Sequence, residues 1–187
     1  MIHRKNKKKD LEATVDEMRN FALSYVEKYA PSKQQLNTYL LKKYLSFGKS
    51  KVNRSSITDL IKIVLDDLEQ NKFINDKFYS NSKAKNLIQK GSSINKIRNY
   101  LIQKGINDKY IKETIENITN NNEDQDFFSA IKICKKKRIG PAREESNRSL
   151  FYKKDLGILA RAGFDFETSK KIMDIEKEEF KRIINLL

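Results

Sequence analysis

The sequence predicts an all-α protein, organised as a tandem array of three three-helix repeats that follow a basic N-terminal tail. Three observations favour this fold class. Only two prolines and six glycines interrupt 187 residues. Apolar residues recur at helical spacing, and no stretch alternates as a strand would. A junction of the form Leu-x-x-x-Gly-apolar-Asn/Asp also occurs twice, 58 residues apart, beginning at Leu101 and at Leu159.

The breaks in the helical pattern divide the chain into four segments. A disordered basic tail is predicted over residues 1–13, since five Lys and Arg residues fall within its first nine positions. The repeats are predicted over 14–70, 71–121 and 122–187, the last with an additional C-terminal helix. Repeats of this kind stack so that neighbours bury each other's apolar faces.

The first repeat contains three predicted helices. The first runs from Asp16 to Tyr29, before a proline, and its apolar stripe is formed by Phe21, Tyr25, Val26 and Tyr29. Ser32 is predicted to cap the second helix, and Ser55 or Ser56 the third. The apolar face of the third helix consists of Ile57, Leu60, Ile61, Val64, Leu65 and Leu68.

The second and third repeats continue the same rhythm. Asn75-Asp76 opens a helix that Gly91 stops, Ser92 or Ser93 caps a helix that ends at Gly105, and Asn107 opens the next. The helices predicted for the third repeat are Glu123–Lys137, Ser146–Ala162, Asp165–Met173 and Lys177–Leu187.

The chain is strongly basic. It holds 39 Lys and Arg against 25 Asp and Glu, a formal net charge of +14. Lysine dominates this excess, a bias that an AT-rich coding sequence also produces, although Asp and Glu have not risen to match it. A charge of this size favours contact with a polyanion or an acidic partner surface.

Several classes of protein are excluded by composition. A single cysteine excludes an intramolecular disulfide framework and a CxxC zinc site. A mean hydropathy of −0.73, without an apolar run of about 18 residues, excludes a membrane-spanning helix. The N-terminus has no apolar segment of the kind found in secretory signals. We therefore expect a cytoplasmic, monomeric protein with no membrane partner.

The residues that usually carry catalysis are scarce. The only histidine is His3, in the tail, and no glycine-rich phosphate-binding pattern occurs. Acidic residues cluster at two predicted helix starts, where they stabilise the helix dipole, and on the polar face of a third helix. The clusters are Glu123-Asp124-Asp126, Glu176-Glu178-Glu179 and Asp66-Asp67. Cys134 lies among apolar residues and is interpreted as buried. We therefore expect no catalytic residue, no metal and no cofactor.

The candidate contact residues lie in two basic blocks. The 31 residues from 77 to 107 contain no acid, whereas a solvated helix face normally mixes both signs. The second block ends a predicted helix, where the helix dipole explains part of the charge. The candidates are Lys77, Lys83, Lys85, Lys90, Lys96, Arg98, Lys104, Lys135, Lys136, Lys137 and Arg138. Tyr79, Tyr100 and Tyr110 interleave with the first block, but their helical spacing is more typical of core residues than of base-stacking ones.

Three segments resemble the RecX family of RecA regulators. They are Leu68-x-x-Asn71-x-Phe73-Ile74-Asn75-Asp76-x-x-Tyr79, Lys90-Gly91-x-x-Ile94-x-x-x-Arg98-x-x-Leu101-x-x-Lys104-Gly105-Ile106, and Leu159-x-Arg161-x-Gly163-Phe164 followed by Ile172. The first helix pair is also similar, although Gln35 stands where the family usually has an acid and the following turn carries an insertion. The resemblance runs from about residue 19 to about residue 174.

The resemblance implies a regulator without catalysis. Members of this family are arrays of three-helix repeats that lie in the groove of the RecA–single-stranded DNA filament, inhibit its recombinase and ATPase activities and favour its disassembly. The implied partners are therefore the RecA filament and the single-stranded DNA within it. The alternative from the residues alone is a stand-alone nucleic-acid-binding protein of helix-turn-helix type. Its recognition helix would carry Asn95, Arg98, Asn99 and Gln103 on or beside its polar side. A nuclease has little support.

Overall fold

The computed structural model describes residues 13–45, 53–121 and 124–187. In these ranges the chain is helical and contains no strand, which confirms the all-α prediction. The helices are α1 (Val15–Tyr29), α2 (Lys33–Leu45), α3 (Arg54–Gln70), α4 (Asp76–Gln89), α5 (Ile94–Gln103), α6 (Asp108–Asn121), α7 (Gln125–Lys137), α8 (Glu145–Arg161), α9 (Phe166–Met173) and α10 (Lys177–Asn185), with a short 3-10 turn at Gly140–Ala142. This order is compatible with three successive helix triplets.

The chain forms two compact units, one up to Asp76 and one over Lys77–Leu187. The predicted tail lies outside the described residues, except that Ala13 packs against the core of unit 1. In that unit α1, α2 and α3 bury one cluster, formed by Met18, Ala22, Leu36, Leu40, Tyr44, Ile57, Ile61, Val64, Leu65, Leu68 and Ile74. Asp76 closes the unit, because its carboxylate accepts a hydrogen bond from the backbone N–H of Lys33 at 2.8 Å.

Capping residues explain where several helices begin. Thr14 caps α1 and Ser93 caps α5, each accepting a hydrogen bond from a backbone N–H of the first turn. The prediction that Ser55 or Ser56 caps α3 is wrong: both lie inside the helix, and the side chain of Asn53 accepts from the N–H of Ser55. Asparagine is as good a cap as serine, and it stands at the point where the chain is still extended.

The two predicted glycine junctions adopt the same local structure. At the end of α5, the N–H of Ile106 donates a hydrogen bond to the carbonyl of Leu101. At the end of α8, the N–H of Phe164 donates one to the carbonyl of Leu159 in the same way. Gly105 has φ of 70° and Gly163 φ of 92°, in the left-handed region that favours glycine. The following Ile106 and Phe164 are buried, so each packs back against the helix that has just ended.

Unit 2 contains two apolar clusters. Tyr79, Ala84, Ile97, Leu101, Ile106, Ile111 and Ile115 form the first, from α4, α5 and α6. Ala130, Ile131, Cys134, Ile139, Leu159, Phe164, Ile172, Met173, Ile175 and Phe180 form the second, from α7 to α10. We call α4–α6 the second triplet and α7–α9, with α10 after them, the third triplet.

Polar contacts join the start of α5 to the third triplet. The hydroxyl of Ser93 donates a hydrogen bond to the carbonyl oxygen of Ala162 at 3.0 Å. The side-chain amide of Asn95 donates one to the carbonyl oxygen of Gly163 at 3.4 Å. The N–H of Ile94 donates to the carboxylate of Asp126 at 2.8 Å. We call these three contacts the α5 seam. Because its polar groups are paired, the seam fixes the first turn of α5 against the turn between α8 and α9.

Candidate nucleic-acid interface

All eleven predicted contact residues belong to unit 2. Lys77, Lys83 and Lys85 lie on α4, and Lys90 follows its last residue. Lys96 and Arg98 lie on α5, and Lys104 is its C-cap. The second block, which we call the α7 block, consists of Lys135 to Lys137 in the last turn of α7 and Arg138, its left-handed C-cap. The structure thus places one block on two consecutive helices and the other at the end of a third.

Lys77 differs from the other candidates because it has an acidic partner. Its Nζ lies 2.8 Å from a carboxylate oxygen of Glu113 on α6. This hydrogen bond raises the pKa of Lys77 and lowers that of Glu113. Residues 77–107 contain no acid, but the fold brings Glu113 of α6 next to Lys77 and so neutralises part of their positive charge.

Two tyrosines join α4 to α5 and support two of the lysines. The hydroxyls of Tyr79 and Tyr100 are 3.4 Å apart. The ammonium of Lys83 lies 5.3 Å from the ring centre of Tyr79, and that of Lys104 lies 5.3 Å from the ring centre of Tyr100. Tyr79 is buried and Tyr100 and Tyr110 are partly buried against the same core. The rings thus act as core residues that place two cations over them.

Most of the remaining basic side chains are exposed to solvent. Lys85, Lys90, Lys96 and the α7 block are exposed, and Arg98 is half-buried. Within residues 13–45, 53–121 and 124–187, Lys85, Lys90 and Lys96 form no ion pair of the kind that joins Lys77 to Glu113. Unpaired, exposed cations retain their full charge for an external anion. We call Lys85, Lys90 and Lys96 the α4–α5 lysines.

A second cluster of aromatic and cationic side chains lies in unit 1. The rings of Tyr25 and Tyr39 are stacked with centres 4.0 Å apart, and Tyr29 lies 4.7 Å from Tyr25. The ammonium of Lys43 lies 3.6 Å from the ring centre of Phe21 and 5.9 Å from that of Tyr39. We call Phe21, Tyr25, Tyr29 and Tyr39 the tyrosine ladder. The sequence prediction missed it, because Tyr25 and Tyr29 were placed in the apolar stripe of α1.

That placement is wrong for Tyr29, whose exposed fraction is 53%. The buried positions of α1 are Met18 and Ala22, in its first half, whereas Tyr29 is its last residue. Tyr29 lies on the same side of the helix as these two residues, so its exposure follows from its position at the end of α1. The i, i+4 spacing of the two tyrosines was the available signal, since it places both rings on one side of a helix.

The groups that were assigned no catalytic role are engaged structurally. Asp66 pairs with Lys33 at 3.0 Å and Asp67 with Arg19 at 3.1 Å. Cys134 is buried, and burial raises the pKa of its thiol to about 12. The described residues contain no group of His, Cys, Asp and Glu side chains that could hold a metal ion. Among the helices described, none is long and apolar enough to cross a membrane.

Comparison with known proteins identifies the family. No family model matches the chain. A protein named Regulatory protein RecX, from Myxococcus xanthus (strain DK1622), is 32% identical over 160 residues, which are 84% of this chain and 84% of that protein. The chain belongs to the RecX family. The predicted resemblance to RecX is thereby confirmed.

A RecX structure also has the same fold. It is described as the crystal structure of regulatory protein RecX, and it matches with a TM-score of 0.59 at 20% identity over 86% of this chain and 74% of that one. At that identity the likeness concerns the fold alone. The helical architecture described above is therefore a RecX fold, and the α4–α5 lysines and the α7 block are features of its surface.

Proposed function

We propose that this protein regulates RecA by binding the RecA–single-stranded DNA filament as a monomer, and that binding inhibits the ATPase and recombinase activities of RecA. The observation that supports the proposal most is identity of 32% to a regulatory protein RecX over 84% of the chain. The protein acts by occupying the filament, without catalysis or a cofactor. It contributes to DNA repair, homologous recombination and the SOS response through this effect on RecA, in the cytoplasm.

The charge distribution of unit 2 supports a role for DNA in this interaction. The α4–α5 lysines and the α7 block are exposed cations on helices, and a RecA filament presents phosphates together with protein. Each lysine that neutralises a phosphate releases counterions, so binding weakens as salt rises. Lys77 is expected to contribute less than the others, because Glu113 already holds it at 2.8 Å.

The helix-turn-helix alternative places α5 in the major groove of a duplex. Recognition helices of that class contact base edges with their N-terminal residues. Here the first turn of α5 lies in the α5 seam, and Asn95 donates its amide hydrogen to Gly163. Asn95, one of the residues that would contact base edges, is thus already hydrogen-bonded to the third triplet, which argues against this alternative.

A charge-reversal experiment tests the proposal. The α4–α5 lysines are changed together to Glu, and the DNA-dependent ATPase of RecA is measured over a range of regulator concentrations. A matched control reverses three exposed lysines elsewhere, Lys62, Lys72 and Lys170. Both variants carry the same net charge, so a difference between them reports on position.

Loss of inhibition by the α4–α5 variant, with inhibition retained by the control, is the expected result. The slope of log affinity for single-stranded DNA against log salt should also become shallower by about 0.7 for each phosphate that the variant no longer neutralises. Equal inhibition by both variants and the wild type would place the working surface elsewhere. Failure of the wild-type protein to alter RecA activity at all would overturn the proposed function itself.

A further inference from the structure

The tyrosine ladder is exposed at one end. Three of its four rings, Phe21, Tyr25 and Tyr39, pack partly against the core of unit 1. Tyr29 is outside that core, and it touches the ladder through the ring of Tyr25 at 4.7 Å. An aromatic ring that is half-exposed and held by a rigid neighbour presents a flat surface at little cost in conformational entropy.

Lysines from both helices lie beside the rings of the ladder. α2 contains no acidic residue and carries Lys42 and Lys43 in its last turn. Lys28 lies 5.2 Å from the ring centre of Tyr29. The single acid between Phe21 and Tyr29 is Glu27, which is two residues from Tyr25 and from Tyr29, and side chains two positions apart on a helix do not face each other.

We propose that the tyrosine ladder binds unpaired bases of single-stranded DNA, with a base stacked on Tyr29 and the neighbouring lysines near the phosphates. Flat aromatic rings beside cations suit this ligand, because every base offers a π-face and every nucleotide carries a negative charge. In a duplex the faces of the bases are already stacked on one another. The ladder therefore selects single strands and tolerates any base sequence.

This site is separate from the α4–α5 lysines, which contact phosphates in the proposed function. It lies in unit 1, and its proposed ligand is the single-stranded DNA itself, so binding does not depend on RecA. It can therefore be tested in the absence of RecA, and its failure would leave the proposed regulation of RecA intact.

The experiment compares three variants of the full chain. Tyr29→Ala removes the exposed ring, and Tyr29→Phe keeps it. Phe73→Ala is the matched control, because Phe73 belongs to unit 1 and has an exposed fraction of 51%, close to the 53% of Tyr29. The fold of each variant is checked by its melting temperature, which should stay near that of the wild type because neither ring belongs to the core.

Binding is measured by fluorescence anisotropy with two probes of about 20 nucleotides, longer than the about 4–16 nucleotides that one aromatic-lined domain covers. One is oligothymidine, and the other is an abasic strand with the same phosphates. Tyr29→Ala should weaken binding of oligothymidine about fivefold or more. Tyr29→Phe and Phe73→Ala should bind it like the wild type, and all proteins should bind the abasic strand equally.

Three outcomes would overturn the proposal. Unchanged binding of oligothymidine by Tyr29→Ala would show that the ring contacts no base. Equal weakening on both probes would assign the effect to phosphate contacts. Unchanged DNA binding together with weaker inhibition of RecA would identify the ladder as a contact with protein.

Discussion

Replacing Gly163 by Ala tests how tightly the third triplet is joined to α5. A Cβ at this position would lie 2.5 Å from the hydroxyl of Ser93, and the backbone has φ of +92°. The new methyl group therefore meets two obstacles. One is the left-handed conformation itself, and the other is the seam residue that faces it.

The cost can be worked out from these two obstacles. An L-residue in the left-handed region costs about 1–2 kcal/mol. Moving the hydroxyl of Ser93 removes its cap on the N–H of Lys96, which is worth about 1 kcal/mol. It also leaves the carbonyl of Ala162 without this partner, at about 1 kcal/mol or more. The expected loss is about 3–5 kcal/mol, which is large for a single substitution.

Urea unfolding followed by far-UV circular dichroism measures the loss, and hydrogen exchange locates it at the start of α5. Gly157→Ala is the control, because Gly157 is in the middle of α8 and its new Cβ would meet only the flexible end of Arg161 at 3.4 Å. That variant should gain about 0.5–1 kcal/mol.

A double-mutant cycle separates the two obstacles. In a Ser93→Ala background the clash is relieved, so Gly163→Ala should cost about 1–2 kcal/mol, the conformational part alone. An equal cost in both backgrounds would refute the argument that Ser93 and Gly163 are coupled. If Gly163→Ala cost less than about 1 kcal/mol in the wild-type background, the argument from the left-handed backbone would be refuted as well.

Three further predictions concern stability and reactivity. Burial opposes ionisation of Asp155, but hydrogen bonds from Arg143 and from the N–H of Gly140 outweigh it and lower the pKa of Asp155. The stability it supplies is therefore present at neutral pH and lost as pH falls through the lowered pKa. Asp155→Asn should lower the free energy of unfolding by about 3 kcal/mol at pH 7. Below about pH 4 the melting temperature of the variant should fall less steeply with pH than that of the wild type, and an equally steep fall would contradict this. Cys134, with its pKa raised to about 12, should react with a thiol reagent at pH 8 only as fast as the protein unfolds, whereas rapid labelling of native protein would show that it is accessible. Deleting residues 1–9 should leave the melting temperature unchanged and weaken DNA binding slightly, and a fall of several degrees would show that the tail packs on the fold.

The sequence predicted the helices well where local chemistry decides them. The glycine junctions at Gly105 and Gly163 were predicted from spacing alone, because the left-handed end of a helix requires glycine and an apolar residue after it. The burial of Cys134 was predicted correctly for a similar reason, since it continues the apolar face of α7. The cap of α3 was predicted wrongly, because Asn53 has a capping preference similar to that of the serines after it, which were chosen instead.

Contacts between helices far apart in sequence could not be predicted. Asp126 was interpreted as an acid at a helix start, and the structure shows that it accepts the N–H of Ile94 from another triplet. Glu113 neutralises Lys77 across two helices, and Tyr39 stacks on Tyr25 across two others. Each depends on how helices pack, which the spacing of residues along one helix does not determine.

The α5 seam also has a consequence for synthesis on the ribosome. Ser93 precedes its partner Ala162 by 69 residues, and at about 5–20 residues per second that interval lasts about 3–14 seconds. In the later part of that interval, the core residues of the second triplet up to Ile115 and the carboxylate of Asp126 have been made. The carbonyl groups of Ala162 and Gly163, which complete the seam, have not. Growth of the chain through α8 therefore completes a helix that began several seconds earlier, and the second triplet becomes fully ordered only when the third has emerged.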